Sequence, residues 1–231
     1  VKRFWKSADI ADADRGWAIL LDGKPVRTPL RTLLIVPTEL LARAIAGEWN
    51  SIQGEIDPRA MPLTGLANAA IDRVRPDPAG FAAALAKYAQ GDLVCYRAER
   101  PLELVSRQQQ SWDPLLTWAR RRLDVDFRTT EGIVHVDQPQ ATVERLFHAV
   151  SALDEFRLAG LSPLVTIGGS LVAALAVLEA EISAESAWNA VTVDELWQLE
   201  QWGADPEAEQ RIENSRRDFL AAARFVELLS D

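Results

Sequence analysis

Sulfur and imidazole are scarce in this chain: its 231 residues include one cysteine, one methionine and two histidines. A single cysteine excludes an internal disulfide framework, a Cys-based zinc site and a redox pair. Cys95 lies in the apolar run DLVCYRA and is expected to be a small buried hydrophobe. Positive charge is the minority, with Lys+Arg 25 against Asp+Glu 34 and a net charge of −9. That balance argues against nucleic acid and against anionic lipid as partners. No membrane-length apolar span is present. The longest uncharged run, Leu158 to Leu178, is interrupted by Gly160, Ser162, Pro163, Gly168, Gly169 and Ser170. Its helical part should begin near Pro163 and run to about 181 as one buried core helix, too short for a bilayer. No signal peptide is visible, although a start at Val1 without Met leaves room for a removed leader. Signature motifs for dinucleotides, nucleotide phosphates, serine hydrolases and zinc peptidases are missing. The Gly168-Gly169-Ser170 run has no following Lys, and its glycines read as helix-packing positions.

What is present suits a soluble globular protein, with hydrophobic residues at 48% and charged residues at 26%. The length allows one large domain or two smaller ones. The opening segment reads as β structure, with short strands in RFWKSA, RGWAILL, KPVRT and TLLIV and a type I′ hairpin signal at Asp22-Gly23. From Thr38 onward helices dominate. Thr38 caps a helix with Leu41, Ile45, Trp49 and Ile52 on one face and Gly54 as its stop. A short helix follows near Thr64 to Val74, and Asp77-Pro78 opens another that ends at Gly91. LVCYRA is a brief strand or an extended connector. The helical stretch from Pro101 should break or kink at Asp113-Pro114, with Arg120, Arg121 and Arg122 forming a solvated end. A last hairpin is expected around Glu131-Gly132, with His135 in a strand. Helices at about 139–153, 184–191, 193–202 and 206–229 complete the chain. The fold class is therefore α+β, with residues 1–60 a β-rich domain carrying one helix and 61–231 a larger helical domain.

Thr192 to Gly203, TVDELWQLEQWG, holds the most unusual pattern. Thr192 and Glu195 are spaced as a capping box, and Gly203 is a stop. At about 100° per residue, Val193, Leu196, Leu199 and Trp202 form one apolar arc, with Asp194, Gln198 and Gln201 opposite. Two carboxylates intrude on that arc, Glu195 between Trp202 and Leu199 and Glu200 between Leu196 and Val193. An acid on an apolar face is costly to bury without a partner. Glu195 either closes the capping box or awaits something that meets it. Trp197 and Trp202 lie about 140° apart on this helix, so one of them should be exposed as an anchor for a protein interface. His148 follows Glu144 by one helical turn, an ordinary side-chain contact.

Several segments, taken together, resemble the family of assembly chaperones that hold the α subunit of the F-type ATP synthase catalytic head. They are FWK at Phe4–Lys6, LDGKPVRTP at Leu21–Pro29, EWNSIQGEIDPRAMPLTGLANAAID at Glu48–Asp72, GDLVCYRA at Gly91–Ala98, WDPLL at Trp112–Leu116 and ELWQLEQWGAD at Glu195–Asp205. The resemblance implies a small β-rich N-terminal domain, a larger helical domain, no catalysis and no cofactor. It implies that free α subunit is bound, through the surface that β later occupies, until β replaces the chaperone. It also places a functionally important acid just before the Trp-Gly pair. The residues carried over as partner-binding are Asp194, Glu195 and Glu200, joined by Trp197 and Trp202. The Ala/Arg-rich composition and the lack of an extended presequence resemble a bacterial member, which would meet its client in the cytoplasm. Eukaryotic relatives would do so in the mitochondrial matrix. No metal, nucleic acid or membrane insertion is expected. The lack of a heptad or symmetric apolar seam suggests a monomer. Two rival readings are a helical scaffold for another client and, further off, a hydrolase pairing an Asp or Glu with His135.

Overall fold

Positive φ angles at Asp22 (47°) and Gly23 (77°) make the tight turn that joins the strand ending at Leu21 to the one starting at Lys24. They are the signature of the primed turn expected there. The computed structural model describes residues 2–132, 134–203 and 206–230. Its architecture is α+β, a small N-terminal sheet region followed by helices. Two compact units divide it: Val1–Pro78 with Asp154–Gly160 and Arg224–Asp231, and Ala79–Leu153 with Leu161–Ala223.

In the first unit, strands β1 (Ala8–Ala13) and β2 (Gly16–Leu21) pair antiparallel from Ala8↔Leu21 to Ala13↔Gly16. On its other edge β2 pairs with β3 (Lys24–Pro25) and β4 (Ile35–Val36). The first strand thus lies beyond the expected RFWKSA, in ADIADA. Asp9 and Asp12 disguise it, and both are exposed, as edge-strand acids can be. Asp22 does more than turn the chain. Its carboxylate accepts the Ser7 and Lys6 N–H groups at 3.0 Å, and these bonds hold it below its ordinary pKa. Gly16 (φ 136°) lets β2 approach β4, because a Cβ there would overlap the Val36 carbonyl.

Helix α1 (Glu39–Ser51) starts at Thr38, whose hydroxyl accepts the Leu41 N–H at 3.2 Å. Leu41, Ala42, Ile45 and Ala46 form its buried stripe. Near its end, Glu48 reaches across to α2 (Pro62–Ala69). The residue before α2 is Met61, which has no capping oxygen, so Glu48 accepts the Leu63 and Thr64 N–H groups (2.7 and 2.8 Å) and the Thr64 hydroxyl (2.7 Å). The carboxylate also suits the positive helix end. Also in this unit, Gly160 leaves no room for a larger residue: a Cβ would lie 2.5 Å from Val226 and 3.0 Å from Phe225.

In the second unit, α3 (Pro78–Ala86) continues through a 3-10 turn to Gln90. A second 3-10 turn, Leu93–Cys95, runs into β5 (Tyr96–Arg97). The hairpin expected around Glu131-Gly132 is not formed among the described residues. Instead β6 (Thr130–Glu131) pairs in parallel with β5, and His135 lies outside any strand. Ile133, within the expected hairpin, falls outside the described residues. Helix α4 (Leu102–Leu123) runs unbroken through Pro114. Gln110, whose carbonyl loses its partner there, is on the exposed side beside Pro114, where water can satisfy it. Arg120, Arg121 and Arg122 are exposed, as expected.

Helix α5 (Gln140–Ser151) precedes α6 (Glu155–Gly168) and α7 (Leu171–Leu178). The single core helix expected from Pro163 is two. Gly169 (φ 66°) ends the first, and Ser170 caps the second by accepting the Ala173 N–H at 3.0 Å. Gly168 does pack closely, as a Cβ there would meet Val191 at 3.2 Å and Phe219 at 3.3 Å. All of α7 from Leu171 to Val177 is buried, and α4 and α8 (Ala184–Val191) pack against it. Asp92, fully buried, caps the same helix start: it accepts the Val172 N–H at 3.0 Å and the Val94 N–H at 3.3 Å, and bonds the Ser170 hydroxyl. Cys95, beside it, is buried as expected. The unit ends with α9 (Val193–Trp202) and most of α10 (Pro206–Glu227).

Two outcomes are expected from this packing. Gly160→Ala should cost about 1–3 kcal/mol by overpacking, read as a lower urea midpoint with an unchanged m-value. Burial pushes the Asp92 carboxyl up to about 6 from 3.8, outweighing its hydrogen bonds. Between those two pH values the folded chain holds a proton that the unfolded chain has lost, so the Asp92 contribution to stability falls as pH rises. The stability of the native chain relative to Asp92→Asn should therefore drop by about 2 kcal/mol between pH 4 and pH 7. A pH-independent difference in urea unfolding would show that Asp92 titrates normally.

Candidate functional site

Thr192 sits where α8 meets α9, and its bonds assign it to the end of the first helix. Its N–H and hydroxyl both donate to the Trp188 carbonyl, at 3.1 and 2.7 Å. No side-chain cap forms on α9, and the expected capping box with Glu195 does not close. The backbone explains this: Thr192 has φ −111° and ψ 16°, outside the extended conformation that points a capping hydroxyl into the next helix. Its carbonyl still starts α9 by accepting the Leu196 N–H at 2.9 Å. At the far end Gly203 (φ 77°) stops the helix, its N–H donating to Leu199. Asp205, the last residue of the ELWQLEQWGAD segment, lies outside the described residues.

One side of α9 is held against α4. Gln108, 1% accessible, donates to Asp194 at 2.7 Å and accepts the Ala98 N–H at 2.8 Å. Arg107 bonds Glu200 at 2.7 Å and Glu103 at 3.2 Å, and lies 4.8 Å from the centre of the Trp197 ring. The hydrogen bond to Glu200 holds the Arg107 guanidinium above its ordinary pKa. Trp197 is 6% accessible. From α4, Trp112 donates to the Ala190 carbonyl at 2.6 Å, which fixes α8 as well.

The opposite side faces a cavity of about 450 Å³, lined among others by Ile167, Leu199, Trp202, Arg211 and Ile212. Glu195 is on its wall. Glu195 is exposed overall, and its carboxyl is only partly shielded. Burial raises its pKa, the neighbouring Asp194 charge adds to the rise, and its own backbone N–H only partly offsets it. Trp202 is 78% accessible, the one exposed tryptophan of the eight.

The five predicted residues thus separate. Asp194, Glu200 and Trp197 are drawn to α4, while Glu195 and Trp202 line the cavity on the other flank. The single apolar arc expected from Val193 to Trp202 is not what is buried. Val193 and Trp197 point inward, Leu196 and Leu199 are half-buried and Trp202 is outside. Glu200 does fall beside Val193 and Leu196, where they line a smaller cavity of about 180 Å³ with Arg107. Sequence reasoning missed Arg107 and Gln108. The signal for Gln108 was its spacing with Trp112, Leu115 and Ala119, which puts an amide on the buried stripe of α4. His135 is exposed, 3.1 Å from the Tyr96 hydroxyl and 3.2 Å from Asp137. Among the described residues no group of three or more His, Cys, Asp or Glu could hold a metal ion.

Residues 2–120 match the ATP12 chaperone protein family. The protein atp12, mitochondrial, of Schizosaccharomyces pombe is 25% identical over 237 residues, spanning 97% of this chain and 81% of the relative. The crystal structure of Atp12 from Paracoccus denitrificans superposes with a TM-score of 0.94 at 43% identity, covering 98% of this chain and 97% of that one. A lysine-for-aspartate mutant of the same protein gives the same figures. The crystal structure of the Atu1473 protein from Agrobacterium tumefaciens superposes with a TM-score of 0.93 at 37% identity, over 99% of this chain and 86% of that one.

The two tryptophans of α9 should respond oppositely to truncation. Trp197→Ala should cost about 3–5 kcal/mol in urea unfolding, as a buried indole does. Trp202→Ala should stay within about 0.5 kcal/mol of the native chain. Equal losses would mean that Trp202 is also part of the core.

Proposed function

The chain belongs to the ATP12 chaperone family of ATP synthase assembly chaperones, and on that premise we propose that its client is the free α subunit of the F-type catalytic head. In this reading the chaperone covers the α surface that β later occupies, preventing aggregation until β takes its place. The contact lies in the helical part of the chain, residues 61–231, on α9. Glu195 and Trp202 meet the client, while Asp194, Glu200 and Trp197 hold the helix that presents them. The observation that carries this reading is an exposed tryptophan and a partly desolvated carboxylate lining one cavity. Exposed aromatic anchors are characteristic of protein interfaces. An interface of mixed apolar and acidic character can be tight enough to shield a client and weak enough to release it. Its charge would speed encounter and select the partner more than it would add affinity.

The activity needs no bound group and no chemical step. A bacterial setting, with the client met in the cytoplasm, follows from the resemblance noted above. No helix among the described residues is long and apolar enough to cross a membrane.

Co-expression with the α subunit of the same organism, followed by affinity capture, tests the proposal. Soluble α should be retained with the chaperone and released when β is added. Glu195→Lys should abolish retention of soluble α while thermal unfolding stays close to that of the native chain. Retention of α by the lysine variant would remove Glu195 from the contact. Failure of the native chain to capture α would overturn the client assignment itself.

A further inference from the structure

The cavity beside α9 has features of a receptor for one kind of side chain. Its volume, about 450 Å³, lies in the range of pockets that enclose a ligand, here sized for a side chain or two rather than a folded surface. Its walls combine apolar side chains, Ile167 from α6, Leu199 and Trp202 from α9 and Ile212 from α10, with polar ones such as Gln198 and Arg211. Glu195 and Trp202 stand seven residues apart, nearly in line on the helix face and about 10 Å apart along its axis, with Leu199 between them. An acid at one end, an indole at the other and an apolar floor between match a long, flat-tipped cation with a hydrocarbon stem.

Charge supports the match. Arg107 neutralises Glu200 on the far flank of the helix, whereas Asp194, the charge that acts on Glu195, is of the same sign. Arg211 lines the cavity from α10 as its one cationic side chain among the described residues. An incoming cation would gain a partly desolvated carboxylate, where a charge-assisted hydrogen bond is stronger than in open water. Of the two long cations, arginine fits better. Its guanidinium is planar and weakly hydrated and can bond a carboxylate through two parallel N–H groups.

We propose that this cavity takes an arginine side chain of the client, with the guanidinium on Glu195 and the stem along Leu199 toward Trp202. The inference rests on the reading of α9 as the client-binding face, and it narrows that reading to one side-chain chemistry.

The test uses the full chain and three end-capped tripeptides, each with two leucines flanking arginine, lysine or citrulline. Binding is followed through the indole N–H resonance of Trp202, assigned from its loss in Trp202→Ala. The arginine peptide should shift that resonance saturably and bind at least ten-fold tighter than the citrulline peptide, which keeps the shape and lacks the charge. Glu195→Gln should erase the ten-fold preference, whereas Glu144→Gln, an exposed acid on α5, should keep it. Equal binding of arginine and citrulline peptides overturns the proposal, as does an unchanged preference in Glu195→Gln. A lysine peptide that binds as tightly as arginine overturns the assignment to a guanidinium. These outcomes are separable from the identity of the client. If the arginine preference is present while α is not captured, the pocket stands and the α-subunit reading fails. If α is captured without the preference, the reverse holds.

Discussion

A carboxylate with no access to water holds the helical unit together. Asp92 gathers the backbone of the turn Leu93–Cys95 and the first N–H groups of α7 onto one side chain. Helix α7 has seven consecutive buried residues and no polar face with which to orient itself, so its position has to be set from its end. Once α7 is placed, α4 and α8 have a surface to pack on. Trp112 of α4 then ties the last turn of α8 through Ala190, and α8 runs directly into α9. Glu195 therefore owes its location to a polar cluster that makes no contact with it.

Helix α9 shows how one short element can carry two electrostatic characters. Toward α4 every charge is answered, Asp194 by a buried amide and Glu200 by Arg107, which itself rests on an indole. Away from α4, Glu195 lines the cavity without such an answer, and partial burial raises its pKa. A surface pair such as Arg107–Glu200 adds little stability by itself. Its effect here is directional, since it commits one acid to the fold and leaves the other available.

Legibility in the sequence followed locality. The Asp22-Gly23 turn, the Thr38 cap and the Gly203 stop of α9 are set by neighbouring residues, and each was readable. Pairing of β5 with β6 was not, because a parallel bridge joins segments more than thirty residues apart. Nor was the continuity of α4 through Pro114, which depends on the exposed side of that helix facing water. The facing of α9 was ambiguous for another reason: an indole stands on either side, and hydrophobicity alone cannot choose between them. The choice is made by Gln108 and Arg107, far away in sequence. Tertiary partners decided each of these features, and a single helix pattern carries no record of them.

The lone sulfhydryl has a practical consequence. Burial pushes the Cys95 thiol up to about 12, with the Asp92 charge adding to the rise. At neutral pH the reactive thiolate is therefore scarce, and the sulfur is sealed from reagent. The folded chain is then inert to alkylation and air oxidation, and any modification that does occur reports transient opening around the α7 core. Nature has left a chemical clock beside the residue on which that core depends.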